Sequence, residues 1–382
     1  MVEQITAAGL AEMIDDDESF VLVDTRPKET FDAWHLPGAN NVPYDPKSGV
    51  TQEHLQEIAD LVDTEPLVII CGKGLSSTQF AFELEDNGYA GVTVVAGGME
   101  AWSKHYDVVP IETTTPDLVV RQLQRRAKGC IGYLIGSKSA KRAIIVDATR
   151  QIDQFKLTAQ DAGMNIERVL DTHVHADHIS GGRALATDVG ADYLLSAGAA
   201  ERGVEYEFEP IADGNVIELG EFEIEALHTP GHTSDMMNFL VADELLLTGD
   251  TLFVDSVGRT ELQFGDGDAA RGAEMLYSSL HEVVLELPED VMILPGHVTV
   301  TRDGRYEGGS PGKPISARIG DLLERLDILQ MDADTFVARL VENAPEKPAN
   351  YERIISINTG IDTIDDEGVA TELELGPNNC AA

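Results

Sequence analysis

Thr172-His173-Val174-His175-Ala176-Asp177-His178 is the stretch whose reading decides this chain. Three histidines and one aspartate fall within the six residues from His173 to His178, more ligating capacity than a short segment needs in order to fold. Imidazole nitrogen and carboxylate oxygen together suit zinc, iron and similar first-row metals. The same residue types recur downstream as His232 in Pro230-Gly231-His232, Asp250 in Thr248-Gly249-Asp250, and His297 in Pro295-Gly296-His297. Each follows an apolar run, at a place where a strand should end and a loop begin. A lone histidine is usually just a satisfied polar residue. Five of the ten histidines here stand in such strand-end loops, and a metal site accounts for the set.

Bulk properties bound the rest. At 382 residues two domains are expected. No charged-then-apolar leader and no run of eighteen apolar residues is visible, so the reading is a cytoplasmic protein outside the membrane. Cys71, Cys130 and Cys380 are too few and too scattered for a disulfide framework. The net charge of −41, from 68 acidic against 27 basic residues, argues against nucleic acid and anionic membranes as partners. That composition resembles proteins of salt-loving microbes, in which molar salt shortens the Debye length to about 3 Å and screens self-repulsion.

The first hundred residues alternate between strand and helix. Thr6 can cap a short helix toward Ile14, and Phe20-Val21-Leu22-Val23-Asp24 reads as a buried strand. Leu67-Val68-Ile69-Ile70 is another strand and delivers Cys71 to its end. Gly72-Lys73-Gly74-Leu75-Ser76-Ser77 then turns into a helix, and Val92 to Val95 is a further strand. This is a parallel α/β pattern. A helix start aims free N–H groups and positive dipole at the thiol, so Cys71 should be thiolate-prone and nucleophilic. Lys73 adds a nearby positive charge, and Lys73, Gly74, Ser76 and Ser77 form the cradle expected to bind substrate. Cys130 reads as inert packing in a core strand, and Cys380 falls in a polar tail.

Asp24-Thr25-Arg26, His35-Leu36-Pro37-Gly38-Ala39-Asn40, the Cys71 loop and Gly97-Gly98-Met99-Glu100-Ala101-Trp102 stand in an order that resembles the rhodanese sulfurtransferases. That resemblance implies a cysteine persulfide on Cys71. Phosphatases of the same fold need an arginine where Ser77 stands, which excludes phosphate-ester hydrolysis. His-x-His-x-Asp-His, followed by His232, Asp250 and His297, resembles the metallo-β-lactamase superfamily, with Asp147 as its early strand-end aspartate. The resemblance implies an α+β four-layer αββα sandwich. The expected layout is a rhodanese-like domain at 1–107, a linker at 108–117, the metallo-β-lactamase-fold domain at 118–360 and an acidic disordered tail at 361–382.

Two chemistries compete at the metal. In a di-zinc hydrolase of glyoxalase II type, His173, His175 and His232 would hold one Zn2+, Asp177, His178 and His297 the other, and Asp250 would bridge. In a persulfide dioxygenase, by family resemblance, one Fe2+ would be held by His173, His232 and Asp250, with His175, Asp177, His178 and His297 in support. Its reaction would oxidise a thiol persulfide with O2 and water to sulfite and free thiol. Two features favour the dioxygenase. The fused rhodanese domain carries the same type of sulfur, and sulfite could take sulfur from Cys71 to give thiosulfate. The segment Gly258-Arg259-Thr260 also resembles one near the dioxygenase site. Arg259 would pair with an anionic substrate, or else form a structural ion pair. Cys71, Asp177 and Arg259 are therefore the candidate catalytic residues, and a homo-oligomer is left open.

Overall fold

The computed structural model describes residues 2–344, 347 and 350–377. Cys380 lies outside the described residues. The first domain is built on β1 (Glu3–Ile5), β2 (Val21–Asp24), β3 (Asn40–Asn41), β4 (Leu67–Ile70) and β5 (Val92–Val95). They pair in parallel in the order β1-β5-β4-β2-β3. Alternation along each strand feeds two cores. Val23, Ile69 and Val94 pack with Phe80 and Leu84 on one face, while Leu22, Val68 and Ile70 pack with Leu10 and Trp102 on the other. Thr6 caps its helix as the sequence suggests, its hydroxyl accepting from the Gly9 N–H at 3.0 Å.

The second domain stacks two sheets. The first contains β6 (Tyr106–Ile111), β7 (Leu118–Arg125), β8 (Ile131–Ser137), β9 (Arg142–Val146), β10 (Asn165–Leu170), β11 (Asp192–Ser196) and β12 (Glu209–Ile211), paired in that order. The second contains β13 (Val216–Leu219), β14 (Phe222–His228), β15 (Met237–Val241), β16 (Leu245–Gly249), β17 (Met292–Pro295) and β18 (Ala317–Arg318). Val120, Ile135 and Ile144 of one sheet meet Ile224, Phe239, Leu246 and Ile293 of the other in a single core. Helices Ile152–Asp161 and Gly182–Val189 cover the first sheet through Phe155, Ala159 and Leu185. Helices Glu261–Ser279, Ile319–Arg325 and Ala333–Glu342 cover the second through Leu276, Leu322 and Phe336. The result is the αββα sandwich.

Two expectations are corrected. The expected linker opens within a strand, which takes in its first four residues, 108–111: β6 pairs with β7 from Tyr106 opposite Arg125 to Ile111 opposite Val120. Tyr106, Val109 and Ile111 are buried, and Pro110 is tolerated because β6 is the sheet's outermost strand, where a missing N–H costs little. Nor is the acidic tail wholly disordered. Glu367–Leu373 is a helix capped by Asp366, and Glu374 beyond it is 1% exposed. Arg125 and Arg150 neutralise Glu374, which is what permits a carboxylate to be buried. The two domains also meet at Arg126, which pairs with Asp15 at 2.6 Å and with Asp107 at 2.7 Å.

Phe239, 1% exposed, is set between the sheets. Phe239→Ala should cost about 3–5 kcal/mol in urea unfolding. Leu157→Ala, at a half-exposed helical position, should stay within about 0.5 kcal/mol.

Candidate metal centre and cysteine loop

Parallel pairing brings strand ends together. Val146 of β9, Leu170 of β10 and Leu194 of β11 lie in register, and so do β16 and β17. The loops carrying Asp147, His173–His178, His232, Asp250 and His297 all leave these strand ends or that of β14, and all of these side chains are buried. Asp250 and Gly258 touch so closely that a Cβ on Gly258 would lie 1.9 Å from the Asp250 carbonyl oxygen. Only glycine fits there, which ties the Gly258-Arg259-Thr260 segment to the site.

His173, His232 and Asp250 form one group of convergent ligand atoms. The surrounding hydrogen bonds fix both tautomers. The Thr172 hydroxyl gives its one proton to Asp147 Oδ2 at 3.0 Å, so His173 Nδ1 must donate to it at 2.9 Å. His232 Nδ1 donates to the Arg259 carbonyl at 2.7 Å. Both Nε2 lone pairs are thereby turned to Asp250 Oδ2, at 3.9 Å from His173 and 3.4 Å from His232. Neither His173 Nε2 nor Asp250 Oδ2 has a hydrogen-bond partner, although both are buried. Such atoms fit a cation at their common centre. Burial drives His173 well below its ordinary pKa, aided by the rings of His175 and His232, so it is a neutral ligand. Burial lowers His232 too. Burial pushes the Asp250 carboxyl up, but His297 and His232 outweigh this and hold it below the usual carboxylate range.

A second group unites Cys130, Asp177, His178 and His297. Its members are engaged with one another. Asp177 Oδ2 faces His178 Nδ1 at 2.8 Å, His297 Nε2 at 2.9 Å and the Cys130 thiol at 3.3 Å. His297 Nδ1 meets Asp250 Oδ1 at 2.5 Å, so this one ring links the two groups. Despite burial, His178 and His297 hold Asp177 well below its usual range, and Asp177 lifts His178 well above its own. Cys130 is thus no inert filler. An apolar strand start gave no sign of this, because its contacts come from loops 47 and 167 residues later, at Asp177 and His297.

His175 lies between the two groups, its ring 4.3 Å from that of His173 and 4.2 Å from that of His178, and its buried Nδ1 has no hydrogen-bond partner. Its Nε2 is held by Asp147 Oδ1 at 3.2 Å, and it groups with Asp147 and Asp171. Asp147 itself adopts a left-handed φ of 53°, which Asp tolerates better than most residues, and it accepts from the Thr172 N–H at 2.7 Å. Arg259 is 1% exposed and paired with Glu261. The ion pair is the structural role weighed for it, and its carbonyl orients His232. Thr172 in its orienting role, Glu261, Asn358 and Glu374 are contributors that the sequence reading missed. Short polar residues outside any motif carry no signal for such work.

At the other site Cys71 leaves β4 and meets the helix Leu75–Asp86. Gly74 caps that helix at φ 79°, and its N–H donates to Cys71 Sγ at 3.1 Å. The Ser77 hydroxyl lies 3.1 Å from the same sulfur. Burial alone would raise the thiol pKa, but hydrogen bonds from Ser76, Ser77 and the Lys73 amide bring it below the ordinary value. The Lys73 ammonium is instead directed to Glu100 at 3.9 Å, so only its amide bears on the sulfur.

The comparisons agree with this geometry. The rhodanese-like domain family matches residues 6–105, and the metallo-beta-lactamase superfamily matches residues 130–297. The mitochondrial persulfide dioxygenase ETHE1 of Bos taurus is 30% identical over 183 residues, 47% of this chain and 68% of that protein. A hydroxyacylglutathione hydrolase of Polaromonas sp. is 28% identical over 239 residues, 56% of this chain and 87% of that protein. The crystal structure of ETHE1 from Myxococcus xanthus superposes with a TM-score of 0.54 at 27% identity, covering 63% of this chain and 98% of that one. With its buried triad, its cysteine loop and these relatives, the chain belongs to the metallo-beta-lactamase superfamily, with persulfide dioxygenases among its relatives, and carries a rhodanese domain ahead of that fold.

Proposed function

We propose that this chain is a persulfide dioxygenase. It oxidises a small-molecule thiol persulfide with O2 and water to sulfite and free thiol, at one Fe2+ held by His173, His232 and Asp250. The observation that carries the reading is the convergence of His173, His232 and Asp250 as a separate buried group, in which His173 Nε2 and Asp250 Oδ2 have no hydrogen-bond partner. Two histidines and one carboxylate are the ligand set of mononuclear non-haem iron oxygenases. When bound, the iron would supply the redox chemistry with O2. The chain's own residues do the rest: Thr172 and the Arg259 carbonyl orient the two rings, and His297 steadies Asp250. Asp177 holds the rings of His178 and His297 in place.

The rhodanese domain would carry sulfane sulfur as a persulfide on Cys71. Transfer to sulfite forms the S–S bond of thiosulfate and returns the Cys71 thiolate. The Gly74 N–H and the Ser77 hydroxyl favour the anionic sulfur at either stage.

One observation favours a di-zinc hydrolase as the second reading. Cys130, Asp177, His178 and His297 lie close enough to share an ion beside the triad, with His297 spanning Asp177 and Asp250. Metal content separates the two. Protein purified without oxygen should hold about one iron per chain and consume O2 only with a persulfide added; two zinc ions with fast thioester hydrolysis would establish the hydrolase. Cys71→Ser should abolish sulfur transfer and leave O2 consumption with an external persulfide intact.

The acidic surface supports a salt-loving, cytoplasmic setting; no helix among the described residues is long and apolar enough to cross a membrane. Circular dichroism should show the fold kept at molar KCl and lost toward millimolar KCl, where the Debye length exceeds about 30 Å. The rate of Cys71 alkylation, followed on its own peptide, should titrate below the ordinary thiol value, and Ser77→Ala should move the midpoint upward because a donor to the thiolate is removed.

A further inference from the structure

Two residues far beyond the last metal-site histidine hold the backbone of the loop that carries the ligands. Asn358 ends the helix Tyr351–Asn358. Its Nδ2 donates to the carbonyls of His175 and His178, both at 2.8 Å, and its Oδ1 accepts from the Ser180 N–H at 2.9 Å. Glu374 fills the next gap in the same loop, with Oε1 accepting from the Ile179 N–H at 2.8 Å. Its other oxygen is held by Arg150 Nε at 2.6 Å and by Arg125 Nη2 at 3.3 Å. Asn358 is 7% and Glu374 1% exposed. Buried backbone groups need partners, and these four would otherwise have water as their source.

Arg125 extends the arrangement into the first domain. Its Nε donates to the Ser103 carbonyl at 2.8 Å. The Ser103 N–H donates to the Met99 carbonyl, and the Met99 N–H to the carbonyl of Cys71 at 2.8 Å. Both Asn358 and Glu374 stand outside residues 130–297, the part matched by the superfamily.

We propose that Asn358 and Glu374 are positioning residues for the metal loop, so that the docked C-terminal segment is a required part of the metal site. They touch no ligand atom. They act by fixing the backbone from His175 to Ser180, and hence the directions of His175, Asp177 and His178, which support the triad on the iron reading and hold metal themselves on the di-zinc reading. Groups one step removed from a metal commonly change its affinity by about 10–100-fold. The inference rests on the metal-centre reading but not on which reaction the metal performs.

The test loads the full chain with Co2+ alone and follows its visible absorption and its transfer to EDTA. Asn358→Ala and Glu374→Ala should release Co2+ about tenfold faster than the unaltered chain, at the low end of that range, with shifted absorption bands. Glu374→Gln, which keeps an acceptor oxygen for the Ile179 N–H, should release it more slowly than Glu374→Ala. Arg353→Ala, an exposed position on the Asn358 helix, should match the unaltered chain in both readouts. Circular dichroism identifies the folded variants. Should the Glu374 variants fail to fold, since they leave Arg125 buried without its carboxylate, Asn358→Ala decides the matter. Unaltered release and spectrum in the folded variants would overturn the proposal. Failure of the unaltered chain to hold Co2+ would overturn the metal-centre reading itself, and the inference with it.

Discussion

The governing constraint is the burial of charge at one end of the sandwich. Asp147, Asp177 and Asp250 are no more than 4% exposed, and the histidines around them are equally enclosed. Carboxylates without water must have partners, or they lose their charge. Each partner here has a direction. Thr172 and the amide beside it face Asp147, His178 and His297 face Asp177, and His297 faces one oxygen of Asp250. What is left over includes Asp250 Oδ2 and the ring nitrogens His173 Nε2, His175 Nδ1 and His178 Nε2, buried atoms that a cation would satisfy. The strand ends exist to deliver these groups, and the glycines at 249, 258 and 296 let the delivering chains approach one another.

The cysteine loop solves a smaller version of the same problem. One sulfur, its thiol pKa brought below the ordinary value, is held by amides and hydroxyls rather than by a cation. Neutral donors stabilise a thiolate or a persulfide without pairing with it, which leaves the sulfur free to leave again. An ammonium locked onto the sulfur would hold it more tightly and release it less readily, and here the Lys73 ammonium points to Glu100 instead. A loop suited to handing over sulfur and a buried triad with open ligand atoms make sense together if the two sites share one kind of substrate.

The candidate ligands stand out in the sequence because metal binding demands particular side chains, and the structure gathers them into buried groups that could hold an ion. The parallel strands of the first domain were legible for a similar reason, since Leu67-Val68-Ile69-Ile70 is apolar on both faces and must be covered on both. What stayed hidden depends on long-range partners. Tyr106–Ile111 resembles a linker because Pro110 breaks ladder hydrogen bonds, and only its place at the sheet edge removes the objection. Residues 367–374 look too acidic to pack until Arg125 and Arg150 are known to lie beneath them. Cys130 looks like a hydrophobe because its polar neighbours are supplied by other loops.

The arginines finally explain how so acidic a chain folds at all. With only 27 basic residues against 68 acidic ones, position matters more than number. Arg26 is engaged with Asp24, Arg125 with Glu374, Arg126 with Asp15 and Asp107, Arg150 with Glu374 and Glu367, and Arg259 with Glu261. All five guanidinium side chains are nearly covered, at 11% exposure or less. They stand at the rhodanese strand end, the domain boundary, the docked tail and the metal-site loop, and Arg126 joins Asp15 and Asp107 of separate segments. Planar, always-charged guanidinium groups suit that work better than lysine. Cations kept inside as fasteners cannot neutralise the surface. The excess of 68 acidic over 27 basic residues leaves the outward face strongly acidic, and screening its repulsion falls to the solvent rather than to the chain.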